Sequence, residues 1–381
     1  MFGKNIKFIN FKKKKIFVKV KKDLKNLLKE NNQIIASLKQ TYQNNYNFKK
    51  IKKIKKNLDL RIIGMGGSIL GAKAIYDLLS VKRKIIFIDN LESRIKIEKK
   101  SYLNLVISKS GNTLETISNV NILLNKNDKN IFITENKKSH LFILAKRLKS
   151  EIVHHNNFIG GRYSVLSEVG MLPAELMGLN PKKFRQLNNL IKNKNFVNSL
   201  ISNVSSILTY SKNKKFNSII INYNPAFNNL LEWYKQLVSE SLGKKGYGIL
   251  PIISNMPKDN HSTMQLYLDG FKNNFFTFFF LKDNKSNKIT DKNFLVGDKL
   301  LKNKTLNRIM YSQKLATERV FLNKKIPFRS FEINKLNEKT LGELFCFFIL
   351  ETILIGKSMN INPYDQPSVE IIKKETKKIL I

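Results

Sequence analysis

A chain of 381 residues with 42% hydrophobic residues and 26 Phe is long enough for two domains with substantial cores, and it is not wholly disordered. Its 69 Lys and Arg against 28 Asp and Glu give a net charge of +41, spread as short runs such as Lys12 to Lys15, Lys52 to Lys56 and Lys212 to Lys215. No RNP aromatic pattern, basic zipper or Cys/His finger accompanies these runs, so the charge reads as a solvated surface and no specific nucleic-acid partner is expected.

Cys346 is the only cysteine, which excludes an intramolecular disulfide and a Cys-based zinc cluster and fits a reducing, cytoplasmic setting. The longest apolar stretch, Leu341 to Ile355, is broken by Glu343 and Glu351, so a buried helix is expected there and no membrane span. The basic N-terminus lacks an uninterrupted apolar region, which argues against a secretory signal.

Residues 1–57 read as a polar, helix-rich lead-in, with Leu24, Leu27, Leu28 and Ile34, Ile35, Leu38 at helical spacing. The character then changes. Leu60 to Ile63 is a short apolar strand running into Gly64-Met65-Gly66-Gly67-Ser68, and a helical pattern follows from Ile69 to Leu79. Lys84 to Asp89 and Leu103 to Ile107 are further strands. The second of them meets Ser108-Lys109-Ser110-Gly111-Asn112-Thr113 and a helix carrying Ile117, Val120 and Leu123. Asn130 to Thr134 makes one more strand. Strands and helices alternating at this spacing imply an α/β fold with a doubly wound, mainly parallel sheet.

After a helical connector near residues 181–208 the pattern starts again. Ser218 to Asn222 is a strand, Leu230 to Leu242 a helix, Lys272 to Phe280 a Phe-rich strand, and Leu341 to Lys357 a long apolar helix. The expected division is an N-terminal helical extension over 1–57 and two αβα domains over 58–200 and 201–360. A C-terminal helical segment follows over 361–381, with its helix from Ser368 to Ile379.

The two Gly/Ser-rich loops each lie between a strand and a helix. There, unpaired backbone N–H groups and the positive end of the helix dipole suit a phosphate, and Ser108, Ser110 and Thr113 add hydroxyl donors. An ordinary helix N-cap uses the same residue types, so these loops alone leave both readings open. Nucleotide binding is not supported. A Rossmann fingerprint at Gly64-x-Gly66 needs Gly or Ala where Ile69 stands, and a Walker A reading of Gly356-Lys357-Ser358 needs Gly where Glu351 stands. Among the four histidines none falls in H-E-x-x-H, and His140, His154 and His155 read as incidental, so no metal is expected. Glu240 ends an apolar helix just before Gly243-Lys244 and is either a poised general base or a solvated helix-end residue. His261 is either a cap neighbour or an acid/base group.

Taken together and in order over residues 60–375, these segments resemble the glucose-6-phosphate isomerase family of the sugar-isomerase (SIS) superfamily. Gly64 to Ser68 is similar to the family's first glycine loop, and Ser108 to Thr116 to its phosphate loop. Gly160-Gly161-Arg162-Tyr163-Ser164-Val165 is similar to its arginine segment, and Glu240-Ser241-Leu242-Gly243-Lys244 to the segment carrying the base. His261 to Leu266 and Asn362-Pro363-Tyr364-Asp365-Gln366-Pro367 match the two remaining signatures. The resemblance implies two tandem SIS domains in a homodimer with shared active sites, acting on a small-molecule sugar phosphate with no metal or organic cofactor. It implies that Glu240 moves a proton between C1 and C2 through a cis-enediolate that Arg162 stabilises. His261 and Lys373 would open the ring, with Glu115 supporting His261. Ser108, Lys109, Ser110 and Thr113 would hold the phosphate, and Gly67, Ser68 and Gln366 would line the pocket, completed by the C-terminal segment. Ser-Gly-Asn-Thr at 110–113 also occurs in related isomerases that accept mannose 6-phosphate, which makes dual glucose/mannose specificity the runner-up. A non-catalytic sugar-phosphate-sensing SIS protein would lack the set Arg162, Glu240 and His261.

Overall fold

The computed structural model describes residues 2–12, 16–53, 58–79, 81–95, 97–290 and 300–381; residues 13–15 and 54–57, in two of the basic runs, lie outside the described residues. Ten strands are described: β1 (Ile6–Ile9), β2 (Asp59–Gly64), β3 (Ile85–Ile88), β4 (Tyr102–Ile107), β5 (Lys129–Thr134), β6 (Glu151–His154), β7 (Asn217–Asn222), β8 (Leu250–Asn255), β9 (Asn274–Leu281) and β10 (Phe328–Ile333). They form two five-stranded sheets, ordered β3-β2-β4-β5-β6 and β8-β7-β9-β10-β1. Every neighbouring pair is parallel except β1 with β10.

The two sheets share one plan. In each, the first strand of the unit lies between the second and the third, so the chain reverses its direction of winding there, between β2 and β4 and again between β7 and β9. Such a switch point leaves a crevice outside the carboxyl ends of the strands. All six residues of β4 and five of six in β2 are buried, as central parallel strands covered on both faces require.

The lead-in is less purely helical than its composition suggests. It carries helices Val18–Lys29, Gln33–Ser37 and Phe48–Lys52, but residues 6–9 form β1, the antiparallel edge of the second sheet. Its alternation, Ile6 and Phe8 inward and Lys7 and Ile9 outward, is only four residues long, too short to stand out among the lysines around it. Three other strands escaped the sequence reading. β6 is a four-residue edge strand, β8 is an edge strand containing Pro251, and β10 interrupts its apolar residues with Arg329 and Glu332. The helix Lys194–Lys212 runs straight through position 200, where a division was expected.

The helix Glu338–Ser358 is the centre of the second unit, with every residue from Thr340 to Gly356 buried. Among the described residues no helix is long and apolar enough to cross a membrane. Both carboxylates that interrupt its apolar run are used. Glu343 accepts the Gly3 amide at 3.1 Å, and Glu351 pairs with Arg329, both side chains fully buried. Tyr234 donates to Glu351 at 3.2 Å, Asn203 also bonds its carboxylate, and Thr277 accepts Arg329 Nε at 3.0 Å. Five elements of the second sheet and its helices therefore meet at one satisfied polar node. Glu351→Leu alone strands the Arg329 charge and is expected to lower unfolding free energy by about 3–5 kcal/mol, whereas Arg329→Met with Glu351→Leu restores most of it. Urea unfolding followed by the fluorescence of Trp233, the single tryptophan, measures both.

Candidate active site

Gly64 of β2 and Ile107 of β4 are paired neighbours, so the two glycine-containing loops leave the first sheet side by side at its switch point. The first loop tightens into a short turn, Gly66–Ser68, ahead of the helix Leu70–Leu78. Gly67 lies against the backbone of Gly161, where a Cβ would come within 2.2 Å of the Gly161 carbonyl carbon, so only glycine fits. The glycine loop and the arginine segment are thereby locked together.

The second loop is built around Gly111, whose φ of +65° and 2.1 Å approach of an added Cβ to Ser139 Oγ both require glycine. Thr113 occupies the N-cap of the helix Leu114–Leu123, yet its side chain makes no cap hydrogen bond; its hydroxyl bonds Ser108 Oγ at 2.8 Å instead. Thr113 therefore does not cap this helix with its side chain. The first-turn amides keep their capacity to meet an anion, and Ser110 faces solvent, accepting the Asn112 amide at 3.2 Å. Lys109 points elsewhere. Its ammonium donates to the Asn157 carbonyl at 2.7 Å and lies 3.8 Å from Glu135, and burial lowers its pKa. It ties the loop to the segment leading into Arg162.

Arg162 lies in the 3-10 turn Gly161–Leu166 and is 1% exposed. Its five donors are all engaged. Nε donates to Ser241 Oγ at 2.8 Å, and Nη2 donates to the carbonyls of Pro363 at 2.8 Å and Asp365 at 3.0 Å. Nη1 donates to Glu240 Oε2 at 3.2 Å and to Gln366 Oε1. The Arg162 carbonyl accepts Trp233 Nε1 at 3.1 Å, which anchors the turn to the helix Asn228–Leu242.

Glu240 lies in the last turn of that helix, its side chain 25% exposed. Its second oxygen accepts Gln236 Nε2 at 2.9 Å. Gln236 itself packs over Gly66, where a Cβ would come within 2.7 Å of its Nε2. The carboxylate is thus held on both oxygens by Arg162 and Gln236 beside the glycine loop. The sequence reading missed Gln236, Tyr163 and Ser241 as site residues. Gln236 was visible as the i−4 neighbour of Glu240 on one helix face. Tyr163 bonds Ser241 Oγ at 2.8 Å and donates to Pro363 O at 3.0 Å, and burial raises its pKa.

The structure brings Arg162, Glu240, Gln366 and the Gly67-Ser68 turn together, with the Ser108–Thr113 loop leaving the adjacent strand. Three residues stand apart. His261 ends the short turn Lys258–His261 after β8, exposed, with no hydrogen bond or ion pair among the described residues. Glu115, half-buried in the first turn of its helix, likewise makes no hydrogen bond or ion pair to His261. Lys373 is on the helix Pro367–Ile379, none of whose residues is buried, and its ammonium is held by Glu370 at 2.6 Å. Among the described residues no group of His, Cys, Asp and Glu side chains could hold a metal ion.

A glucose-6-phosphate isomerase of Methanocaldococcus jannaschii is 33% identical over 350 residues, covering 86% of each chain. One of Campylobacter jejuni is 33% identical over 343 residues, covering 84% of each. Among solved structures, a hypothetical protein of Thermus thermophilus superimposes with a TM-score of 0.81 at 21% identity, covering 95% of this chain and 94% of that one. A glucose-6-phosphate isomerase of Chlamydia trachomatis gives 0.70 at 19% identity, covering 91% and 78%. Those two show the shared fold. The family model described as phosphoglucose isomerase matches residues 6–247, which include both glycine loops, Arg162 and Glu240. On that match and the identity to its relatives, the chain belongs to the phosphoglucose isomerase family.

Proposed function

We propose that the chain interconverts glucose 6-phosphate and fructose 6-phosphate through a cis-enediolate, with Glu240 as the base that carries the proton between C2 and C1. The observation that carries this reading is the fixed pair of a buried guanidinium and a partly open carboxylate, Arg162 Nη1 to Glu240 Oε2 at 3.2 Å, beside the phosphate-ready loops. In the aldose-to-ketose direction Glu240 takes the C2 proton of the open-chain sugar, and electron density moves onto O1. The proton returns to C1 as a proton passes from O2 to O1, so the reaction ends with no net change in atoms or oxidation level. The enediolate needs a cation that keeps its proton, and a guanidinium does so at any working pH. Nε and Nη2 of Arg162 are committed to the protein, so Nη1 is the edge that turns to the sugar oxygens, exchanging Gln366 or Glu240 for the oxyanion.

Ser108, Ser110, Thr113 and the first-turn amides of the helix Leu114–Leu123 take the phosphate, with Ser68 and Gln366 lining the sugar pocket. The names of the relatives favour glucose 6-phosphate over dual glucose/mannose specificity. The setting is cytoplasmic. The working unit is a homodimer in which His261, exposed and without a side-chain partner among the described residues, serves the neighbouring subunit's site. Lys373 acts with it in ring opening once its helix is docked.

Glu240→Gln keeps size and hydrogen bonding but removes basicity. It is expected to lower kcat by at least about 10² with little change in sugar-phosphate binding. A coupled assay on fructose 6-phosphate that reads glucose and mannose 6-phosphates separately checks both the rate and the product, and near-normal turnover of the folded variant removes Glu240 from the role. Arg162→Lys loses the planar fork that holds the Pro363 and Asp365 carbonyls and the oxyanion together, and kcat/KM is expected to fall by at least about 10². Sharing of the site is checked by refolding Glu240→Gln with His261→Ala. If His261 acts in trans, a mixed dimer has one site with both defects and one with neither. Random pairing then returns up to about a quarter of the parent activity. Verified mixed dimers without recovery overturn the shared site.

A further inference from the structure

The segment Asn362–Gln366 crosses the buried face of Arg162 as a strap, offering two backbone carbonyls and one side-chain carbonyl to the guanidinium. Such a strap has little secondary structure of its own to hold it there, and its side chain at Asp365 is half in solvent. Tyr163, bonded to both Ser241 Oγ and the Pro363 carbonyl, helps to fix its distance from the helix end that carries Glu240, and a further tie completes this.

We propose that Lys244 is the positioning residue that does this, acting through the strap on Arg162 without touching substrate. Its side chain is 10% exposed, and its ammonium meets three acceptors. It donates to the Ser241 carbonyl at 3.0 Å and the Asn362 carbonyl at 2.6 Å, and lies 3.0 Å from Asp365 Oδ1. An ammonium has three N–H donors, so none is left over for a phosphate or a sugar hydroxyl. One of the three acceptors belongs to the last turn of the Glu240 helix, where a cation also meets the negative end of the helix dipole. The other two belong to the strap. Ser241 closes the circuit, because its hydroxyl accepts Arg162 Nε at 2.8 Å while its carbonyl accepts Lys244. Asn362 stiffens the strap locally, its Nδ2 donating to Asp365 Oδ2 at 2.9 Å and its Oδ1 accepting the Tyr364 amide at 3.0 Å. Lys244, together with Tyr163, therefore sets the spacing between the carboxylate of Glu240 and the carbonyls that orient the guanidinium. Burial lowers the pKa of its ammonium in spite of Asp365, as fits a cation enclosed by protein groups.

The inference rests on the assignment of Glu240 and Arg162 above, and its test separates the two. Lys244→Met keeps the length of the side chain and removes the donors. It is expected to lower kcat about 10- to 100-fold, the scale of a small misplacement of a catalytic group. KM for fructose 6-phosphate is expected to stay within about threefold, because the phosphate loop is untouched. Lys244→Arg keeps the charge and recovers most of kcat. Adding Asp365→Asn to Lys244→Met lowers kcat by less than about twofold further, since both changes break one clasp. A Lys244→Met enzyme with parental kcat, or one whose defect is a raised KM at unchanged kcat, overturns the proposal; the second result makes Lys244 a substrate ligand. If Lys244→Met fails to fold, Asp365→Asn alone, altering a half-exposed side chain, reads the same kcat loss on a smaller scale, and no loss overturns the proposal. Glu240→Gln is assayed in parallel. Full turnover there removes the base assignment itself, whereas an inactive Glu240→Gln beside a normal Lys244→Met removes only the clasp.

Discussion

A guanidinium withdrawn from water has to find every one of its donors a partner inside the protein, and Arg162 does so with acceptors from two separate stretches of chain, residues 240–241 and 363–366. The cost of burying that charge is offset only if all of them are in place together. The turn Gly161–Leu166, the end of the helix Asn228–Leu242 and the strap before the final helix are consequently not independent parts. The turn carries the planar group, and the other two are located by what they give to it. The Glu240 carboxylate inherits its position from this demand, because it is one of the acceptors and not an addition to a finished scaffold.

The repeated sheet plan explains why such a meeting point exists. Each unit opens a crevice where its winding reverses, but only the first furnishes its crevice with two glycine-containing loops. The second contributes the helix that follows β7, whose Trp233 bonds the Arg162 carbonyl next to the contact of Gly67 with Gly161. The two glycine-containing loops and Glu240 thus come from different halves of the chain, with Trp233 and Gln236 bonded between them.

Much of this was legible in the sequence because it depends on local chemistry. Glycine loops between apolar strands and helices announce a parallel sheet, and β2, β4, β5, β7 and β9 were readable as apolar runs. What escaped notice was set by tertiary context. β10 carries Arg329 and Glu332 because each has a charged partner waiting, and β8 tolerates Pro251 because it lies at an edge. Within the site, Glu240 and Arg162 stood in recognisable segments, but their mutual geometry did not. Lys109 fits the composition of a phosphate loop, yet its ammonium points back to Asn157, a contact between positions 48 residues apart that no local pattern encodes. Gln236 lacked any motif beyond its spacing from Glu240.

The pairing of β1 with β10 has a consequence for how the molecule is made. Residues 6–9 belong to the same sheet as residues 328–333, so the whole first unit is, in topological terms, an insertion within the second. The first sheet has all its strands once residue 154 has been synthesised, and it is free to form while the ribosome is still at work. β1 has to wait for β10. At about 5–20 residues per second that interval is roughly 15 s to a minute, during which Phe2, Ile6 and Phe8 lack their native cover. The lysine next to them in the strand, Lys7, is well suited to keeping that waiting edge from pairing with a neighbour's, and in the finished fold it closes on Glu332 across the same seam.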